Sequence, residues 1–165
     1  MTYVIYQFAE VAMNHVEALG DGLDGLAQME ALQASGGQPG ILGALDFRFA
    51  LAGPGLAVFE GVPGEHAYNP MGTMHGGYAA TLLDSACACA AHSRLAAGQG
   101  CTTLELKVSY HKAISRHTGP LRAEGRVLSF GSRVAFAEAS LIDARGRLYA
   151  SASSTLLVFD QPAKA

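Results

Sequence analysis

The chain has 165 residues, of which half are hydrophobic and 15% are charged, and its formal net charge is −3. This length suits one domain with a proper core, so we expect a single domain over residues 1–165. The charge is too dilute for a nucleic-acid footprint. No apolar run of about 18 residues predicts a membrane span, and no signal-peptide pattern opens the chain, so we expect a cytoplasmic protein.

The N-terminal part of the sequence favours helices. Residues 1–19 are weakly helical, and Asp24 can cap a helix that continues to about Ala34. Glycine and proline residues then end the pattern. We therefore expect a helical extension over residues 1–40, followed by a core over residues 41–160.

A strand hairpin and a long apolar helix are predicted next. Two apolar runs, 45–51 and 56–62, are separated by a turn that is rich in glycine and proline. The helix extends from about Gly76 to Ser93 and contains one acid, Asp84. Because it is apolar nearly all round, it should be enclosed by other elements. A carboxylate in such a place usually has a hydrogen-bond or charge partner, or a functional role.

Beyond residue 100 the hydrophobic period changes to two, which predicts strands. In the first of them the apolar positions are Leu104, Leu106, Val108 and Tyr110. They alternate with Thr103, Glu105 and Lys107, which indicates an exposed threonine. Three further strands are predicted, at 121–128, 134–142 and 148–159. Because short hairpin connections exclude parallel pairing, we expect an α+β fold in which an antiparallel sheet wraps around one central helix.

A set of residues around this helix carries a family resemblance. Asn69, His75-Gly76-Gly77, Asp84 and the Thr102-Thr103 strand start resemble the hotdog-fold acyl-CoA thioesterases of the phenylacetate-degradation and 4-hydroxybenzoyl-CoA type. The resemblance covers about residues 45–158 and implies the hotdog fold. The chain departs from the family pattern at residues 112–119, where the connection is longer and Ala113 replaces a proline that many relatives carry.

Thioester hydrolysis needs a base or nucleophile and a group that stabilises the developing oxyanion. Asp84 can be the base or nucleophile, and unpaired N–H groups at the helix start can be the oxyanion donors. The resemblance implies the same assignment. In it the Gly76 amide polarises the carbonyl, Asn69 and His75 lie nearby, and Thr103 positions water or Asp84.

The spacing of Gly76 and Asp84 predicts self-association. Eight residues on one helix separate the two groups by about 12 Å along the axis. One thioester carbon cannot lie close to both. We therefore expect an isologous homodimer in which Gly76 of one subunit faces Asp84 of the other. The resemblance implies the same arrangement, often as a dimer of dimers (a homotetramer).

Each candidate residue also has a plainer interpretation. Asp84 could accept hydrogen bonds from a core backbone, His75 could only pin the helix start, and Asn69 could be a turn residue. Two other functions stay open. One is a hotdog hydratase or dehydratase, which needs a histidine and a carboxylate at one reaction centre, and the other is a non-catalytic acyl-CoA-binding module.

The substrate and its coenzyme set the remaining expectations. Phosphates of coenzyme A call for cations, and residues 94–133 hold seven bases against two acids. The candidates are Arg133 with Ser132, Ser154 behind it on the last strand, and Arg116. No metal or redox cofactor is expected, since neither the cysteines nor the histidines show ligand spacing. The acyl group is expected to be aromatic or of medium chain length, with pocket candidates Met71, Met74, Tyr78 and Leu82.

Overall fold

The computed structural model describes residues 22–36 and 40–161. The expected helix within residues 1–19 lies outside this part of the chain. Six strands are present: β1 (Phe47–Gly53), β2 (Leu56–Gly61), β3 (Gln99–Tyr110), β4 (Leu121–Phe130), β5 (Val134–Asp143) and β6 (Leu148–Asp160). The helices are α1 (Gly25–Ala34), the four-residue α2 (Ile41–Ala44), which the sequence did not predict, and α3 (Gly76–His92), with a 3-10 turn at Glu65–Ala67.

The strands form one antiparallel sheet in the order β1-β2-β4-β5-β6-β3. Helix α3 contacts every strand of this sheet, so the sheet wraps around it. The predicted antiparallel sheet around one long helix is thereby confirmed. The order also makes β3 an edge strand, paired only with β6 among the described strands.

The N-terminal helix α1 is capped as predicted. The carboxylate of Asp24 accepts a hydrogen bond from the Ala27 N–H at 2.9 Å, and the helix ends at Ala34. It packs against β1 and the end of α3, and Met29 is buried there. None of the described helices is long and apolar enough to cross a membrane.

One face of α3 packs tightly on the sheet. Its side chains are small or aliphatic and fully buried: Ala79, Leu82, Leu83, Ala86, Cys87, Ala90 and Ala91. Gly125 on β4 allows this close approach, because a Cβ there would lie 2.2 Å from the carbonyl oxygen of Ala86. The absence of a side chain at this position therefore sets the distance between helix and sheet.

The described residues leave the opposite face of α3 only partly covered. Thr81, Asp84, Ser85 and Ala88 are half-buried. Residues 22–36 and 40–161 therefore do not enclose the helix all round, in contrast to the expectation from the sequence. The sequence pattern shows that a helix is largely apolar but not what covers it, because a surface that a second subunit covers is also apolar.

A β-bulge overturns the predicted face of Thr103. Thr103 pairs with Leu156 and Glu105 pairs with Thr155, so Leu104 is an extra residue on β3. An extra residue shifts the alternation by one position. Thr103 therefore lies on the helix side of the sheet with Leu106, and Leu104, which the alternation had predicted to be buried, is 59% exposed.

Candidate active site

His75 caps helix α3. Its Nδ1 accepts a hydrogen bond from the Gly77 N–H at 2.9 Å, and its own N–H donates to the carbonyl oxygen of Ala67 at 2.7 Å. Because Nδ1 is an acceptor in this bond, the ring proton of the neutral tautomer lies on Nε2. The geometry thus matches the plainer interpretation, in which this histidine pins the helix start.

Gly76 presents a free backbone donor at the first position of α3. Among the residues that the structure describes, no acceptor receives its N–H. Its carbonyl oxygen accepts a hydrogen bond from the Tyr110 hydroxyl at 2.9 Å. The helix dipole and an unpaired N–H together favour a negative oxygen at this point.

Asp84 lies two turns further along α3, on the open face. Its Oδ1 accepts a hydrogen bond from the Thr103 hydroxyl at 3.0 Å. The β-bulge at Leu104 turns Thr103 towards the helix and so makes this contact. The other carboxylate oxygen has no hydrogen-bond donor among the described residues. Asp84 is therefore held in place with one oxygen left for another partner.

Asn69 organises the loop before α3. Its Oδ1 accepts hydrogen bonds from the N–H groups of Met71 and Thr73, at 2.9 and 3.2 Å, and its Nδ2 donates to the Thr73 hydroxyl at 2.9 Å. This bonding is typical of an asparagine turn. The side chain shapes the loop that leads to the helix start.

The structure separates these residues into two groups. Gly76 and Tyr110 meet at the end of β3, whereas Asp84 and Thr103 meet near its beginning. We call them the amide group and the acid group. Within one chain they occupy opposite ends of the edge strand.

Tyr110 was missed as a site residue by the sequence reasoning. In the sequence it was only the last apolar residue of a predicted strand. In the structure it is 56% exposed, and its hydroxyl donates a hydrogen bond to the Gly76 carbonyl oxygen. A Cβ at position 76 would lie 3.1 Å from that hydroxyl. The available signal in the sequence was a tyrosine at an apolar position at the end of a predicted strand.

The predicted coenzyme A residues do not form one cluster. Ser132 and Arg133 are exposed in the turn between β4 and β5, and Arg116 is exposed in the loop between β3 and β4. Ser154 is buried, and its hydroxyl donates to the carbonyl oxygen of Glu105 at 3.1 Å. Its hydroxyl is therefore engaged inside the protein rather than displayed beside Arg133.

The three cysteines are free thiols near α3 and β3. Burial raises the pKa of Cys87 and of Cys89 to about 12, with the nearby Asp84 charge adding to both, and burial raises the pKa of Cys101 to about 11. Within residues 22–36 and 40–161, no group of three or more His, Cys, Asp or Glu side chains could hold a metal ion.

Comparison with known proteins identifies the family of the chain. The sequence model of the thioesterase superfamily matches residues 71–150. A solved protein from the thioesterase superfamily is 30% identical, and the match covers 81% of this chain and 97% of that one, with a TM-score of 0.66. The chain belongs to the thioesterase superfamily.

Two more distant structures share the fold of this thioesterase-superfamily chain. A thioesterase from Haemophilus influenzae is 17% identical, with coverage of 80% of this chain and 90% of that one and a TM-score of 0.71. A Streptococcus mutans protein bound to acetyl-CoA is 22% identical, with coverage of 70% and 90% and a TM-score of 0.63. No curated protein matches the chain.

Proposed function

We propose that this thioesterase-superfamily protein hydrolyses an acyl-CoA thioester to the free acid and coenzyme A. Membership of the superfamily supports thioester hydrolysis. The acetyl-CoA bound to the Streptococcus mutans structure supports coenzyme A as the thiol part of the substrate. The reaction as proposed uses no metal or redox cofactor.

Asp84 and Gly76 divide the chemistry between them. As a base, Asp84 takes a proton from water while the water oxygen bonds to the carbonyl carbon. The Gly76 N–H then stabilises the resulting oxyanion. When that intermediate collapses, the C–S bond breaks and the coenzyme A sulfur receives the proton that Asp84 took from water. As a nucleophile, Asp84 would instead bond to the carbonyl carbon while the C–S bond breaks and coenzyme A leaves as the thiolate. Water would then cleave the resulting mixed anhydride to the free acid and regenerate Asp84.

The positions of the acid group and the amide group carry this proposal. They lie at opposite ends of β3, which is one of the two edge strands among the described strands. When two copies of an edge strand pair antiparallel about a twofold axis, the beginning of one strand faces the end of the other. Such a dimer would bring Asp84 and Thr103 of one subunit to Gly76 and Tyr110 of its partner.

Two further features support a homodimer. The unpaired edge of β3 offers a row of backbone donors and acceptors to a second copy. The half-exposed face of α3 beside it bears small side chains at Thr81, Ser85 and Ala88, which allow close packing. We propose the dimer as the catalytic unit, and a dimer of dimers as the complete assembly.

The proposed acyl group is aromatic or of medium chain length, as in the phenylacetate and 4-hydroxybenzoyl-CoA thioesterases. Of the pocket candidates, Tyr78 and Leu82 are buried in the core of the same chain. Met74 is half-buried and Met71 is 86% exposed. The two methionines beside the helix start are therefore the better candidates for contact with the acyl group, because methionine adapts to rings and chains.

The hydratase alternative has less support. It needs a histidine that moves a proton at the reaction centre, and Nδ1 of His75 is engaged as the helix cap. The non-catalytic alternative predicts coenzyme A binding without dependence on Asp84. An assay of thiol release, with the wild-type protein beside an Asp84 variant, separates both alternatives from hydrolysis.

The test is a thiol-release assay on aromatic and medium-chain acyl-CoAs, with the wild-type protein beside Asp84→Asn. We expect kcat to fall at least ~100-fold, the low end for loss of a general base. Asp160→Asn, which changes an exposed aspartate that contacts Gln99 at 3.3 Å, is the matched control and should keep wild-type kcat. Equal rates for wild type and Asp84→Asn, or no thiol release from any acyl-CoA, would contradict the proposal.

A further inference from the structure

One peptide group in the first turn of α3 is held from both sides by side chains. Its carbonyl oxygen belongs to Gly76 and accepts a hydrogen bond from the Tyr110 hydroxyl at 2.9 Å. Its N–H belongs to Gly77 and donates to Nδ1 of His75 at 2.9 Å. We call this unit the 76–77 peptide. Its two partners come from different elements, since His75 precedes the helix and Tyr110 ends β3.

Space, rather than backbone conformation, explains the two glycines of this peptide. Neither glycine has a positive φ, the range in which glycine is favoured over other residues. A Cβ on Gly76 would lie 3.1 Å from the Tyr110 hydroxyl oxygen, and a Cβ on Gly77 would lie 2.9 Å from Nδ1 of His75. The absence of both side chains therefore lets the two hydrogen-bonding groups reach the 76–77 peptide.

The 76–77 peptide adjoins the proposed oxyanion donor, which is the N–H of Gly76. Glycine has more backbone freedom than any other residue, and the first N–H groups of a helix have no intrahelical acceptor. Two successive glycines at this point would leave the direction of that N–H loosely defined. The Tyr110 hydroxyl can act beside the helix's own donor, because a carbonyl oxygen has two lone pairs. Hydrogen bonds at both ends of the 76–77 peptide therefore restrict this freedom.

We infer that Tyr110 and His75 are positioning residues, which hold the 76–77 peptide so that the Gly76 N–H keeps its direction while charge develops on the substrate oxygen. The inference rests on the proposed function, which assigns the oxyanion to this N–H. A donor that is already oriented needs no reorganisation in the transition state. In this role neither side chain needs to touch the substrate, and neither transfers a proton.

Tyr110→Phe removes only the hydroxyl and tests the carbonyl side of the peptide. For the acyl-CoA that the wild-type protein hydrolyses fastest, we expect kcat to fall roughly 3- to 10-fold, as the loss of one hydrogen bond would cause. KM should stay at the wild-type value, because the donor acts on charge that develops only in the transition state. Tyr149→Phe is the matched control. It removes another bonded hydroxyl, 3.3 Å from the Asp143 carboxylate, and should change neither constant.

Variants of His75 test the N–H side of the peptide. His75→Ala removes the acceptor and should lower kcat roughly 3- to 10-fold. His75→Asn keeps a side-chain acceptor at a helix cap and should retain more of kcat than His75→Ala. In the double variant of His75→Ala and Tyr110→Phe, the loss should be smaller than the product of the two single losses, because both side chains act on one peptide. A loss equal to that product, or a wild-type kcat in Tyr110→Phe, would overturn the inference.

An NMR measurement of the peptide separates this inference from the proposed function. When glycine is labelled in both its carbonyl carbon and its amide nitrogen, only Gly-Gly pairs give a coupled signal, and the chain has two such pairs, 36–37 and 76–77. We expect the Gly77 N–H to exchange with solvent faster in Tyr110→Phe than in wild type or in Tyr149→Phe. If no acyl-CoA is hydrolysed while this difference persists, the proposed function fails and the positioning of the peptide stands. If hydrolysis is normal and the exchange rate is unchanged, the inference fails.

Discussion

The two faces of helix α3 meet different surroundings. One face is fully buried against the sheet, and its approach is so close that Gly125 cannot carry a side chain. The other face is half-exposed and holds Asp84 between small residues. The buried face is complete within one chain, whereas the open face has the proposed acid but not the proposed amide. In the proposed mechanism, one chain is enough to complete the buried face, whereas catalysis needs two.

Thr81→Arg tests the open face, because it adds a large charged side chain there. Because we propose that a partner covers this face, we expect dissociation to monomers and loss of hydrolysis. The helix should still form, since arginine is a good helix former. Light scattering during gel filtration measures the mass, and circular dichroism measures the helix content.

The control for that change is Ala144→Arg, which adds the same residue to the exposed turn between β5 and β6. It should leave both mass and kcat at wild-type values. A Thr81→Arg protein that remains dimeric and active would show that the open face is not part of the interface.

Gly125→Ala tests the buried face. Its new Cβ would lie 2.2 Å from the Ala86 carbonyl oxygen, so the helix or strand must move. We expect the free energy of unfolding to fall by at least about 2 kcal/mol, within the range for overpacked cores. Urea denaturation measures it. Gly53→Ala is the matched control, because its Cβ would make an ordinary 3.7 Å contact with Leu56; equal losses in the two variants would contradict the close-packing account.

Alkylation of the cysteines tests how accessible the two sides of the helix are, and its expected effect is the smallest. Burial raises the pKa of Cys87 and Cys89 to about 12 and that of Cys101 to about 11. Little thiolate is then present at pH 8, so we expect iodoacetamide to leave the native thiols unmodified while it labels the urea-unfolded chain. Mass spectrometry counts the labels. Rapid labelling of Cys89 in the native protein would mean that its side of the helix is accessible.

Local periodicity predicted most of the fold. The change from helical to alternating patterns after residue 100 located four strands. The helix predicted from about Gly76 to Ser93 matches α3 (Gly76–His92) to within one residue. The eight-residue separation of Gly76 and Asp84 also led to the expectation of a dimer, which stays a prediction. These inferences depend on residues close together in the chain, which is why the sequence contained them.

The parts that the sequence did not reveal depend on distant pairing. The bulge at Leu104 arises where β3 pairs with β6, and the alternation of β3 alone places Thr103 on the other face. The contact of Tyr110 with Gly76 joins residues 34 positions apart. The open face of α3 bears small side chains and a single charge, so the sequence alone does not distinguish it from a buried face.

The central claim is that each site combines Asp84 from one subunit with Gly76 from another. We expect Asp84→Asn and Gly76→Leu each to be inactive alone, the latter because its side chain would crowd the Tyr110 hydroxyl beside the amide. Mixing the two proteins by joint unfolding and refolding tests the claim most directly. Random pairing makes half of the dimers mixed, and each mixed dimer has one site with both groups intact, so hydrolysis should recover to about a quarter of the wild-type rate per site. If both groups act within one chain, the mixture will stay as inactive as its two components, and that result would contradict the claim.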